Sequence, residues 1–210
     1  MKNKLYVSTG ICLSLGSVLL IATMILHPTG GDIPYLLGIS SQLKVSHSIG
    51  ICSVPISLFG FYGLTVALLD RYKFSVLGFV FVSIGLIAAL LAALLNGIIL
   101  PKFIEKFSGQ LSETGDILEI FVAYNFTLNT AFDYIFIVGG SLAIAIYSSL
   151  MLRSVNFPSL LGYAGLIILF LAGIALVFNL PFTSLLGFRF FTLTVAGWIG
   201  LVGIIMFNSK

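Results

Sequence analysis

The sequence predicts an all-α fold, a polytopic transmembrane bundle of six spans in a single domain over residues 1–210. Three observations carry this expectation. Of 210 residues, 59% are hydrophobic and 8% charged, where a soluble domain carries about 25% charged residues. A chain of this size can bury only part of its apolar surface against itself, so the bilayer is its natural solvent. Apolar runs long enough to cross that bilayer, which takes ~20 residues, recur along the chain. Short polar breaks rich in Pro, Gly or charge separate them.

The spans are expected at about 5–26, 45–69, 74–100, 127–150, 160–180 and 184–207. The first has a basic start (Lys2, Lys4) and an apolar body. That body exceeds the h-region of a signal peptide, so it reads as a retained helix. The segment HPTGGD at 27–32 ends it: Pro28 disfavours helix at the preceding residue, and Gly30 can take a left-handed turn. The second span contains Pro55 and is expected to kink there. Pro101 is expected to stop the third span and Pro181 the fifth.

The long link before the fourth span places Phe103, Phe107 and Leu111 at four-residue steps, with Lys102, Glu105 and Lys106 between them. That pattern predicts a short amphipathic helix along the interface. Asp116 and Glu119 then match a capping box, which would start the fourth helix near Ile117, two to three turns above the membrane. Glycines inside the spans predict close helix contacts.

Charge sets the expected orientation. Lys2, Lys4, Arg71, Lys73, Arg153 and Lys210 fall at one side, and Lys44, Lys102 and Lys106 at the other. The positive-inside rule then puts both termini in the cytoplasm of a cell whose plasma membrane holds the protein. The net charge of +3 is scattered, which speaks against nucleic acid as a partner. Cys12 and Cys52 form no CxxC pair, so a disulfide framework or thiolate metal site is not expected.

Polar residues inside spans are the functional signal. His27, His47, Asn96, Asn125, Asn129, Asp133 and Arg189 all map to the outer half of the bundle, while the inner half is apolar. Asn125, Asn129 and Asp133 recur at four-residue steps on one helix face. Asp133 lies roughly 9 Å below the outer surface and Arg189 roughly 8 Å, at ~1.5 Å per residue. The matched depth predicts an outward polar pocket with an Asp133–Arg189 ion pair. That pair either ties two helices together or lets Arg189 hold a small anionic or lipid-like ligand. Arg189, Asp133, Asn129, Asn125 and Asn96 are therefore the candidate ligand-binding residues.

The two histidines admit other chemistry. His27 at a helix C-terminus favours the negative end of the macrodipole. His27, His47 and Asp133 are alternatively candidate metal ligands, for an intramembrane hydrolase in which Arg189 meets the oxyanion. His27 and His47 are alternatively axial ligands of a b-type haem. No diagnostic spacing selects either cofactor. Asp32 reads as a turn residue, and Trp198 as packing.

HPTGGD, then SHSIGI at 46–51 and GFYGL at 60–64, resemble uncharacterised six-helix bacterial integral membrane proteins, which carry a His-Pro after the first span and a second His opening the next. The resemblance covers the first third of the chain. It implies a bacterial inner-membrane protein and no activity. The reading that accounts for most of these features is a noncatalytic membrane protein with an outward polar pocket for a small or lipid-like ligand or for docking a partner.

Overall fold

The computed structural model describes residues 2–69, 73–178 and 182–208, with side chains for all of these except 2, 3 and 110–114. Helix dominates, and the described residues contain no strand. The order is α1 (Lys2–Leu26), α2 (Ile33–Gly38), α3 (Ser40–Leu69), α4 (Ser75–Leu94), a π-helical segment (Leu95–Ile99), α5 (Leu100–Phe107), a 3₁₀ turn (Ser108–Gln110), α6 (Leu111–Met151), α7 (Ser159–Val177) and α8 (Leu185–Asn208). Six helical stretches are long and apolar enough to cross a membrane. The protein is an all-α, multi-pass bundle.

Small residues decide how the bundle closes. α1 lies between α3 and α8. A Cβ on Gly60 would meet Leu13, one on Gly50 would meet Thr23, and one on Gly10 would meet the backbone of Gly203 and Phe207. Backbones approach this closely only where side chains are absent, and close approach is what holds helices together in lipid. Ser17 adds a bond across the α1–α8 contact, donating to the Ala196 carbonyl at 2.6 Å. α4 packs on α6 through Gly85 and Gly139. The main core runs between these helices around Leu64, Tyr147, Trp198 and Met206. Trp198 donates its indole N–H to the Leu161 carbonyl at 2.9 Å, so the expected packing role comes with a tie to α7.

A second, smaller core forms a cap at the His27 end. Ile33 and Leu36 of α2 meet Leu43 of α3, Leu100 and Ile104 of α5, and Leu118 and Val122 of α6. Phe103 and Phe107 pack on this cluster while Lys102, Glu105 and Lys106 stay exposed, as the amphipathic pattern predicts. Lys44 joins α3 to α5 through an ion pair with Glu105 at 2.6 Å.

Several boundaries differ from expectation. α3 begins at Ser40, before the apolar run, while Pro55 lies inside the helix as expected. Pro101 does not stop the third span. It sits in the first turn of α5, where its missing N–H is tolerated. The π-helical segment just before it widens the turn into which the proline ring would otherwise press. The Asp116 capping box is not used, because α6 starts at Leu111 and passes through it. At 41 residues and ~1.5 Å per residue, α6 is roughly 60 Å long, about twice the hydrocarbon core of a bilayer. Arg71, Pro181 and Lys210 lie outside the described residues, as does the expected end of the fifth span at Leu180.

Candidate functional site

Five of the seven polar residues that the sequence places in the outer half of the bundle surround a chamber of about 340 Å³ at the His27 end. Its walls come from α1, α3, α4, the π-helical segment, α6 and α8. His27, His47, Asn96, Asn129 and Asp133 line it, together with Phe126, Phe136 and Phe188. Beneath it lies a narrow apolar crevice of about 30 Å³ that shares Leu20, Ser53, Leu86 and Phe136 with the chamber and reaches down to Phe61 and Phe191. The combination of apolar walls and a few convergent polar groups is the usual make-up of a small-molecule site, and its volume falls at the small end of the ~300–1,000 Å³ such sites occupy.

The histidines meet across α1 and α3, with ring centroids 4.7 Å apart and planes tilted by 53°. Each ring is held by its own backbone. His27 Nδ1 lies 2.8 Å from the Pro28 carbonyl, and His47 Nδ1 lies 2.8 Å from the Leu43 carbonyl. A carbonyl only accepts, so Nδ1 is the protonated nitrogen in both, and in the neutral ring Nε2 is left as an acceptor. Neither Nε2 has a hydrogen-bond partner among the described residues. Burial holds the His27 pKa below its ordinary 6.5; the Pro28 bond opposes this, and the Arg189 charge reinforces it.

The asparagines and the aspartate pair among themselves. Asn125 donates to Asn96 Oδ1 at 2.5 Å, and Asn129 donates to Asp133 Oδ2 at 2.9 Å. Asn96 reaches the chamber because it lies in the π-helical segment, where the extra residue per turn re-aims side chains. Asn125 stays behind it, outside the lining.

Arg189 departs most from expectation. It forms no ion pair with Asp133. Its guanidinium donates instead to the His27 carbonyl, at the C-terminal end of α1. The last carbonyls of a helix lack intrahelical partners and carry the negative end of its dipole, so a cation is well placed there. Arg189 does not line the chamber, and its Nε is buried without a partner. The left-handed turn expected at Gly30 is absent; Arg189 closes the helix end in its place.

HPTGGD is thus more than a helix stop. Asp32 is the N-cap of α2, accepting from the Tyr35 N–H at 3.0 Å. Thr29 bonds the Tyr35 hydroxyl at 2.8 Å, and Gly30 and Gly31 line the chamber. The expected metal set is not assembled: among the described residues, no three His, Cys, Asp or Glu side chains come together in a way that fits an ion. Nor does the pair fit a haem, since axial imidazoles stand on opposite faces of the macrocycle and these rings are within contact distance of one another.

No family model, curated protein or solved structure matches the chain.

Sequence reasoning missed the hydroxyls and rings of the wall. Thr192 lies in the lining, is wholly buried, and has a hydroxyl with no partner. Its position one turn after Phe188 on α8 was the available signal, but a threonine in an apolar span ordinarily bonds its own helix.

Proposed function

We propose that this multi-pass membrane protein is a binding protein whose chamber takes a small or lipid-like ligand and performs no chemistry on it. The chamber itself carries the reading: about 340 Å³ with His27, His47, Asn96, Asn129 and Asp133 gathered in its wall. Structural packing alone gives no reason for these groups, drawn from four separate stretches of chain, to face one void. Native mass spectrometry of protein taken gently from its membrane tests it. A small-molecule adduct is expected, and it should vanish in an Ala89→Leu/Ala93→Leu variant that fills the wall. Wild-type protein without any adduct would remove the reading.

The proposal includes a side. The basic residues flanking the spans favour a plasma-membrane protein with cytoplasmic termini, which turns the chamber end outward. Cysteines at Thr29 and Gly109 should then react with an impermeant thiol reagent applied to intact cells. Reaction only in inverted vesicles would reverse the orientation.

A further inference from the structure

Within the proposed binding role, the wall chemistry specifies the ligand further. We infer that the chamber selects a lipophilic organic cation, a protonated amine on an apolar body, and discriminates against anions.

The first argument is the charge in the wall. Among the described residues, Asp133 is the one carboxylate of the lining, and no Lys or Arg lines the chamber. Asp133 has, among the described residues, a single hydrogen bond, from Asn129, and no cation paired with it. A carboxylate in apolar surroundings is costly until a positive group meets it. The guanidinium that would favour an anion does not line the chamber: it donates to the His27 carbonyl at the α1 terminus, so its charge is felt at the His27 ring and not beside Asp133.

The second argument is the balance of donors and acceptors. Both Nε2 atoms are acceptors in the neutral rings, because each Nδ1–H is committed to a carbonyl. Asp133 retains an oxygen that Asn129 does not reach. Against these stand the Asn96 amide, whose own oxygen already accepts from Asn125, the second N–H of the Asn129 amide, and the unpartnered Thr192 hydroxyl, which can act either way. An ammonium brings donors and no acceptor, which complements this set. A carboxylate or phosphate would meet the amide donors but would also face Asp133 and the two Nε2 acceptors.

The third argument is the rest of the wall. Phe126, Phe136 and Phe188 line the chamber, and aromatic rings attract a cation more strongly when it is desolvated. The volume suits a molecule of drug size rather than a two-chain lipid.

Cysteine placed at Ala93 or Ala89, in a Cys12→Ser/Cys52→Ser background, reads the sign of the field. The probes are three methanethiosulfonates: neutral methyl, cationic aminoethyl and anionic sulfonatoethyl, each normalised to a free thiol. The cationic reagent should exceed the anionic by about tenfold or more, the scale on which a charged cleft concentrates counter-ions. Asp133→Asn should collapse that ratio. In the Asp133 protein, 3-phenylpropylammonium should also protect the cysteine from the neutral reagent, and 4-phenylbutanoate should not. This second readout holds even if Asp133→Asn fails to fold. If the neutral reagent does not react at either position, the chamber is closed and the binding role itself falls, taking this inference with it. If it reacts, but charge makes no difference and both phenyl compounds protect alike, the chamber stands and cation selection is overturned.

Discussion

Gly97 packs its bare backbone against His47, so that a Cβ added there would fall on the His47 Cβ and Cγ atoms. Glycine in the π-helical segment and histidine on α3 thus set one another's position at the chamber wall. Gly97→Ala should displace the imidazole and cost about 1–3 kcal/mol, the range for overpacking a tight contact. Thermal unfolding in detergent reads the cost. An unchanged melting temperature would mean that the two helices separate more readily than this contact implies.

Arg189→Ala should destabilise the protein by about 1.5–3 kcal/mol, the scale of a hydrogen bond to a charged group. It leaves the His27 carbonyl at the end of α1 without its donor. The loss should appear in empty protein. If Arg189 acted only on a ligand, the empty variant would melt like wild type.

The neighbouring glycines of α6 should respond oppositely. A Cβ on Gly139 would meet the Phe81 carbonyl at 2.8 Å and the Gly85 backbone N at 3.1 Å, whereas one on Gly140 would meet nothing within 4 Å. Gly139→Ala should lower stability by about 1–3 kcal/mol. Gly140→Ala should be neutral or raise it by up to about 1 kcal/mol, through helix propensity. Equal effects from the two would contradict the α4–α6 packing.

Acidification should weaken the fold through His27. Its folded pKa lies below the ordinary 6.5, so below that value the unfolded chain binds more protons than the folded one. Stability from this group is complete above 6.5 and is lost as pH falls through the folded value. Arg189 and the His47 ring face His27, and the Arg189 charge makes a second positive charge there unfavourable. Melting curves from about pH 8 to about pH 5 should slope less in His27→Gln than in wild type. Parallel slopes would assign the acid sensitivity elsewhere.

Apolar length was enough to place the six spans, because lipid imposes one demand on each segment in turn. Helix ends were less legible. Pro101 and Asp116 carry the local marks of boundaries, yet α5 and α6 run through them because the cap offers apolar partners on both sides. Depth correctly grouped His27, His47, Asn96, Asn129 and Asp133, since rise per residue alone fixes it. Direction around the helix axis was not available, and this is where the Asp133–Arg189 pairing failed. Arg189 found a backbone carbonyl as its partner, and backbone acceptors leave no trace in residue identity.

α6 carries Leu118 and Val122 in the cap, Asn129 and Asp133 in the chamber wall and Tyr147 in the distant core, where the Tyr147 hydroxyl bonds Thr65 at 2.8 Å. Roof and wall are therefore parts of one stiff rod anchored at its far end. Under the proposed binding role, loosening the roof would move the carboxylate with it, so that admission and grip would depend on the same helix. Substitutions in the cap should therefore change affinity as well as the rates of capture and release.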